Sequence, residues 1–357
     1  MWIFYILLLG PIIIQHFAIV GYQIDFEKKN KYAITFFFVL LTILVMLRHE
    51  SVGNDTRNYI YYFEKFSNMP WSEVPNESLT NGFSYLNKMI SLFTKEPQIY
   101  LAIVALLITA MIYPTYKRLC VDSSLTIVLF CTMSTFLMMF SGIRQMLAIG
   151  IGFVAYEFTR KRKIIPFIFV VAVAMTIHTS AFMLVLMYPL YHAKITKKWL
   201  IAVIPAIAVV FVFNRQIFSV ISMLLEQSQK YSSAVTQTGA YTMIILFAFF
   251  VVFAFLVPDE SSVDDEVIGL RNFLLLSLVI QMFAPLHTVA MRMNYYYIIF
   301  IPLLLPKIVQ YRNERWNEIA VIGRYVMVVF FLLYFFVNAY RGVGLNVFPY
   351  HFFWEAV

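Results

Sequence analysis

The sequence predicts an all-α, polytopic integral membrane protein with about 10–12 transmembrane helices. Of its 357 residues 61% are hydrophobic and 13% are charged, whereas a soluble domain is typically about 25% charged. The apolar residues form long uninterrupted runs without the alternation of barrel strands, so helices are the expected way to satisfy the backbone in lipid. This composition argues against a soluble enzyme, a nucleic-acid-binding protein and a secreted disulfide scaffold.

Each apolar run is predicted to be a helix of a single membrane domain, 1–357. No Lys or Arg precedes Lys28, so the first run lacks the basic start of a cleavable signal and is predicted to be the first span. The runs are 1–22, 32–47, 99–113, 124–140, 142–159, 164–191, 199–214, 239–257, 271–288, 293–310 and 320–338. The polar stretches 48–98, 215–238, 258–270 and 339–357 are predicted to be loops and a tail.

Basic residues collect in short loops and set the predicted orientation, because Lys and Arg are enriched in cytoplasmic loops. They are Lys28, Lys29, Lys31, Lys117, Arg118 and the run 160–163. All of them are cytoplasmic if the N-terminus is outside. Loops 48–98 and 215–238 and the C-terminal segment 339–357 are then external.

The run 164–191 is too long for one upright span. Its 28 residues would make a helix of about 42 Å, against a hydrocarbon core of about 30 Å. One solution is a re-entrant helix pair, broken near Thr176–His178, which keeps the lysines at 194–198 cytoplasmic. A single strongly tilted helix is the alternative.

Several polar residues are not explained by the hydrophobic pattern, and a charge at mid-membrane costs about 2.5–3.5 kcal/mol. Arg48, Arg144 and Arg292 all fall on the predicted outer side. Interfacial arginines often snorkel, but the planar guanidinium also suits bidentate binding of a diphosphate. His178 lies among threonines and a serine at membrane depth, as expected beside a wet cavity. Further candidates for substrate contact are Arg57, Tyr59, His287, Arg341 and Tyr350.

Other chemistries find no support in the sequence. The acidic run 259–266 is typical of a solvated connector, and no phosphate-binding, dinucleotide-binding or zinc motif is present. Cys120 and Cys131 do not make a disulfide framework. We therefore predict no metal, no cofactor and no nucleic-acid partner.

Three short segments, in order, resemble the EpsG family of Wzy-type polysaccharide polymerases. Segment 48–59 is similar to the family pattern Arg-x3-5-Gly-x-Asp-x3-Tyr after the second helix. Segment 141–148, Ser-Gly-Ile-Arg-Gln-Met-Leu-Ala, resembles its Arg-Gln-x-x-Ala segment, and segment 174–181 its Ala-x-x-x-His-x-Ser-Ala segment. The aromatic end around Pro349-Tyr350 also matches. Thr56 departs from the pattern, which more often has an aromatic there, and we expect this to affect sugar contacts.

The resemblance implies an inverting, metal-independent glycosyltransferase of the bacterial cytoplasmic (inner) membrane, with its active site facing the periplasm. A glycan on undecaprenyl diphosphate would be transferred to the non-reducing end of another lipid-linked repeat unit, in O-antigen, capsule or exopolysaccharide biosynthesis. A chain-length regulator protein is a candidate partner. A flippase or transporter of the same lipid-linked oligosaccharide, or a structural subunit, is the alternative.

Two residues are candidate bases for the acceptor hydroxyl, Asp55 and His178. Asp55 has Arg48 and Arg57 as neighbours in sequence, and nearby cations keep a carboxylate ionised and weaken it as a base. His178 lies where water is scarce, which favours its neutral form. We therefore expect His178 to accept the proton and Asp55 to orient the acceptor sugar or an arginine.

Overall fold

The computed structural model describes residues 2–16, 25–76, 79–224, 239–311 and 314–356. Throughout this part of the chain the structure is helical and contains no β-strand, apart from an isolated bridge between Arg48 and Phe352. The prediction of an all-α, polytopic membrane protein is confirmed. The predicted loop 215–238 lies outside the described residues from position 225 onward.

The described residues form helices α1 to α17. In chain order they are Trp2–His16, Phe26–Leu47, Thr56–Asn68, Asn81–Ile90, Pro97–Leu119, Ser123–Thr132, Ser134–Ser141, Ile143–Arg160, Ile164–Ile177, Met187–His192, Leu200–Val212, Asn214–Leu224, Gly239–Leu256, Asp265–Gln281, Thr288–Ile298, Ile301–Gln310 and Asn317–Tyr340. Short 3-10 helices span Val74–Asn76, Thr179–Leu186, Lys197–Trp199 and Glu314–Trp316. The predicted external loop 48–98 thus contains two helices, α3 and α4.

Three to six segments of the described chain are long and apolar enough to cross a membrane, fewer than the 10–12 predicted. The three single helices are Phe26–Leu47, Pro97–Leu119 and Glu314–Tyr340. The number rises to six if each of three bent helix pairs counts as one span. These pairs are Ser123–Thr132 with Ser134–Ser141, Thr179–His192 with Lys197–Val212, and Val289–Ile298 with Ile301–Gln310. The difference arises because other apolar runs form helices shorter than a span, such as α1 and α9, or carry several charges, such as α8.

The chain divides into two compact units. Unit 1 comprises residues 1–185 and 323–357, and unit 2 comprises residues 186–322. Within unit 1, α2 and α5 pack antiparallel. The Gln98 side-chain amide donates to the Met46 carbonyl at one end of this pair, and the hydroxyls of Thr35 and Tyr113 lie 2.9 Å apart toward the other. A turn at 161–163 joins α8 and α9 into a second antiparallel pair.

Unit 1 has two chemically different ends, which we call the site end and the basic end. The basic end brings together residues 15, 30 and 121–124, because Asn30 donates to the Val121 carbonyl at 3.0 Å and Gln15 to Asp122 at 3.0 Å. The site end holds residues 46–56, 140–144 and 340–353, the last through contacts described below. Within this unit the basic loops are therefore grouped apart from loop 48–98, as the charge pattern predicts. That the site end faces outward stays a prediction.

In the described part of unit 2, three ion pairs join its helices and loops. Lys194 pairs with Asp265 at 3.4 Å and Lys307 with Glu266 at 3.2 Å. The buried Arg271 donates two bonds of 3.0 Å to Glu260. The acidic run 259–266 therefore binds the unit's own basic side chains as a connector.

The helix break predicted near Thr176–His178 is present. Helix α9 ends at Ile177, His178 has extended backbone angles, and a 3-10 helix follows from Thr179. Leu184 lies against Gly152, near the middle of α8. The chain has therefore come back toward the middle of α8 after the break, as a re-entrant pair requires. Membrane re-entrance itself stays a prediction.

Candidate functional site

The loop that follows α2 is fixed by a C-terminal segment far away in sequence. Arg48 ends α2 in an extended conformation and forms the bridge with Phe352. The backbone N–H of His49 donates to the His351 carbonyl at 2.9 Å, and the Tyr350 hydroxyl donates to the Leu44 carbonyl at 2.8 Å. The aromatic tail thus packs back onto unit 1 and forms one wall of the site end.

Arg48 is a buried cation, with only 1% of its surface exposed. Its Nη1 donates to the Val45 carbonyl, at the end of α2, while Nε and Nη2 have no partner among the described residues. Burial lowers the pKa of Arg48 to about 10. A buried charge without a counter-ion is costly, so the folded protein keeps this cation at an energetic cost.

Gly53 and Thr56 hold the rest of the loop against the end of α7. Gly53 has φ of +91°, and a Cβ there would lie 2.4 Å from the Phe140 carbonyl oxygen. The Thr56 hydroxyl donates to the Val52 carbonyl at 2.6 Å and contacts the Phe140 carbonyl at 3.2 Å. Thr56 is completely buried, so the departure from the family pattern lies in a packing position. The expected effect on sugar contacts stays a prediction.

Arg144 brings a second guanidinium to the site end. It lies in the first turn of α8, where the partial positive charge of the helix makes a cation unfavourable and an anion favourable. The guanidinium is hydrogen-bonded to the Tyr59 hydroxyl and lies 5.9 Å from the ring centre of Phe83, while its Nε is buried without a partner. Burial raises the pKa of Tyr59, so its hydroxyl stays neutral. Arg144 thus adds a further buried donor without an acceptor to this end of the unit.

His178 reaches the same end because α8 and α9 form an antiparallel pair. The end of α9 is attached to the start of α4, where the Thr80 hydroxyl donates to the Ile177 carbonyl at 2.6 Å. His178 is partly buried. The structure therefore brings His178 to the end of the unit that carries Arg144 and the 48–59 loop.

Asp55 lies at the start of α3, at the same end. Its carboxylate makes no capping hydrogen bond to that helix and is partly buried. It is close enough to Tyr59 to act on it electrostatically. The carboxylate oxygen atoms are therefore not used as hydrogen-bond acceptors for the backbone of α3.

One residue of this site was missed by sequence reasoning. Tyr100, near the start of α5, is buried, and its hydroxyl has no partner among the described residues. It lies within electrostatic range of Arg48 and Tyr59, and its ring stacks on Phe63 at 4.3 Å. Tyr100 therefore lies near both Arg48 and Tyr59. It sits in an apolar run, where a tyrosine gives no signal.

The other substrate-contact candidates of unit 1 are less buried or are used in packing. Arg57 makes a surface ion pair with Glu50 at 3.3 Å. Arg341 is exposed in the turn after α17, and the Tyr350 hydroxyl is occupied by its bond to α2. These three residues frame the site end.

Arg292 and His287 belong to unit 2, so the structure places them in a different unit from the other candidates. The His287 Nδ1 accepts a hydrogen bond from the Val289 N–H at 3.1 Å and so caps α15. Burial and the nearby Arg292 charge lower the pKa of His287. Arg292 is exposed in the second turn of α15.

Arg48 and Arg144, at the site end, have no counter-ion among the described residues, unlike Arg271 of unit 2. Between them the two guanidiniums have three buried nitrogen atoms without an acceptor. Within the described chain no three His, Cys, Asp or Glu side chains are grouped as metal ligands. The arrangement places guanidinium nitrogen atoms without acceptors at the end of unit 1 that also carries His178 and Asp55.

Comparison with known proteins gives one result that covers nearly the whole chain. The sequence model of the EpsG family matches residues 31–352. No curated protein and no solved structure matches the chain. The matched range includes every candidate residue of the site end.

Proposed function

The chain belongs to the EpsG family, and from this premise we propose that it transfers a glycan from undecaprenyl diphosphate to the non-reducing end of another lipid-linked repeat unit. Family membership and the apolar helices support the coarser statement, a multi-pass membrane protein of the polysaccharide polymerase type. The finer proposal places the reaction at the site end, on the outer face of the cytoplasmic membrane. Its product is O-antigen, capsule or exopolysaccharide.

The observation that carries the proposal is a pair of guanidiniums without a counter-ion, of which that of Arg48 is buried and that of Arg144 is partly buried. A protein retains such groups at a cost of several kcal/mol, and they cost less once an anion is bound. The donor's diphosphate is such an anion, with several oxygen atoms that can accept from Nε and Nη2 of Arg48 and from Nε of Arg144. Guanidinium forks match phosphate geometry better than ammonium groups do.

The leaving group is stabilised by the same contacts. When the bond between the sugar's anomeric carbon and the diphosphate oxygen breaks, its electron pair stays on the diphosphate. Donors already placed where this charge develops lower the barrier without reorganising. In this proposal the arginines take the role that a divalent cation has in other glycosyltransferases, so the reaction is metal-independent.

The acceptor must lose a proton as its oxygen attacks the anomeric carbon. Attack from the face opposite the diphosphate inverts the configuration in a single displacement. His178 takes the proton in this proposal, since it is partly buried at the same end. Asp55, which α3 does not use as a cap, orients the acceptor sugar.

The test is reconstitution of the purified protein in liposomes with one undecaprenyl-diphosphate-linked repeat unit, with product lengths resolved on a gel. Wild-type protein is expected to give a ladder of longer glycans. Arg144→Lys keeps the charge but loses the planar guanidinium. The loss of one charged hydrogen bond of about 1.5–3 kcal/mol lowers the rate about 10- to 150-fold. Arg160→Lys at the basic end, where Arg160 pairs with Glu157, is the matched control.

Two outcomes would contradict the proposal. Full activity of Arg144→Lys would remove the diphosphate contact. Movement of the intact lipid-linked unit across the bilayer without any lengthening would instead indicate a flippase.

A further inference from the structure

Helix α4 in the 48–98 segment buries polar side chains beside Phe83 and Ile90 and exposes apolar ones. Its inner face carries the buried polar residues Ser84, Asn87 and Lys88. Its outer face carries Tyr85 and Met89, which are 38% and 54% exposed. Soluble helices normally turn the apolar stripe toward the core. The outer face of α4 is therefore suited to an apolar environment.

The apolar surface extends beyond the helix on both sides. Leu92 and Phe93, in the turn after α4, are 66% and 85% exposed. On the other side Trp71 is exposed and its ring stacks on Tyr85, with ring centres 6.4 Å apart. Trp and Tyr are enriched at the membrane–water interface.

Lys88 lies beneath this surface and fixes the backbone near Trp71. Its ammonium group donates to the Met69 carbonyl at 2.5 Å and to the Ser67 carbonyl at 3.3 Å, and lies 5.8 Å from the Trp71 ring centre. A lysine of an extramembrane helix usually extends into water. Here it is turned inward and fixes the backbone that presents Trp71.

The surface is continuous with a membrane span. Helix α5 begins at Pro97, four residues after Phe93, and exposes Ile99 and Leu106 along its length. We propose that α4, with Trp71, Leu92 and Phe93, lies in the bilayer interface with its apolar face inserted among the lipid headgroups and upper acyl chains. Helices of this kind bury their apolar face about 5–10 Å into that boundary.

This placement sets the depth of the candidate site. The inner face of α4 carries Phe83, whose ring contacts Arg144 and Tyr59. One side of α4 therefore touches lipid, while the other side contacts Arg144 at the site end. Arg144 is consequently held close to the level of the lipid phosphates, whatever reaction the site carries out.

The inference is tested with a variant in which Trp71 is the single tryptophan. Trp2, Trp199, Trp316 and Trp354 are replaced by Phe, and the full-length protein is reconstituted in phosphatidylcholine liposomes. Trp71 fluorescence is expected to be quenched strongly by lipids brominated near the top of the acyl chain, and less by lipids brominated near its end. Acrylamide in the water is expected to quench it weakly. The matched control moves the tryptophan to the exposed Glu64 of α3 (E64W with W71F), where acrylamide is expected to quench strongly.

Strong acrylamide quenching of Trp71, equal to that at position 64, would overturn the inference. A second measurement tests another occupant of the same surface. Phe93→Cys, in a variant without Cys120 and Cys131, is expected to react with a lipid-soluble maleimide and to stay monomeric on oxidation. A disulfide-linked dimer would show that a second copy of the chain covers this face instead.

Discussion

Replacement of Arg48 by Met separates the needs of folding from those of function. Methionine fills a similar apolar volume without the charge. If Arg48 is retained to bind an anion, its removal should make the free protein more stable while polymer formation is lost. If Arg48 is a structural cap of α2, its removal should make the protein less stable.

The change in the free energy of unfolding follows from the lowered pKa of Arg48 and from its one hydrogen bond, to the Val45 carbonyl. The pKa of Arg48 falls from 12.5 to about 10 in the folded protein, which at about 1.36 kcal/mol per pKa unit is a penalty of about 3 kcal/mol on the cation. Neutral pH lies below both values, so the side chain is protonated in both states and the whole penalty opposes folding. Loss of the bond to the Val45 carbonyl costs about 2 kcal/mol. The free energy of unfolding should therefore rise by about 1 kcal/mol.

Thermal unfolding in detergent measures this difference, and about 1 kcal/mol corresponds to a rise in Tm of about 2–4 °C. Arg271→Met is the matched control, because Arg271 is equally buried but makes two bonds to Glu260. Breaking that pair should lower the stability by about 3 kcal/mol. Undecaprenyl diphosphate should raise the Tm of the wild type and not that of Arg48→Met. A lower Tm for Arg48→Met would refute the argument.

Three further predictions concern the same end of unit 1. Gly53→Ala should lower stability by about 2 kcal/mol or more in thermal unfolding, through its positive φ and the carbonyl clash; an unchanged Tm would contradict the loop geometry. Tyr100→Phe removes a buried hydroxyl without a partner, so the Tm should not fall while the KM for the lipid-linked donor rises. Tyr116→Phe on the same helix is the control, and a KM for Tyr100→Phe equal to that of the wild type would exclude Tyr100 from the site. His178→Gln should abolish lengthening while donor binding survives, whereas Asp55→Asn should mainly raise the KM for the acceptor; the reverse pattern would exchange their roles.

The fold class could be predicted because composition alone requires a membrane environment. The break at His178 followed from comparing the length of one run with the bilayer thickness. The number of spans could not be obtained in this way, because apolar runs do not show where a helix bends. The 64° bend between α6 and α7, for example, interrupts one continuous apolar run.

Residues of the candidate site could be predicted only where a charged or ionisable side chain lies within or beside an apolar run. Arg48, Arg144 and His178 stand out because each is costly in its position, and the structure groups them at one end of unit 1. Tyr100 is compatible with its apolar surroundings, so nothing in the sequence distinguishes it from a packing residue. The sequence grouped Arg292 with Arg48 and Arg144 because all three are predicted to lie on the outer side of the membrane. A shared side of the membrane does not show that residues belong to the same compact unit.

The bridge between Arg48 and Phe352 has a consequence for biogenesis. Leu44 and Tyr350, which are joined by a hydrogen bond, are 306 positions apart, so the loop around Arg48 leaves the ribosome long before its partner segment is translated. Unit 2 must be synthesised and inserted in the interval. We expect the loop around Arg48 to stay open during translocation and to close only after residues 345–352 have been synthesised. A chain stalled before that point would bring no completed site to the membrane, so glycan assembly would depend on full-length synthesis.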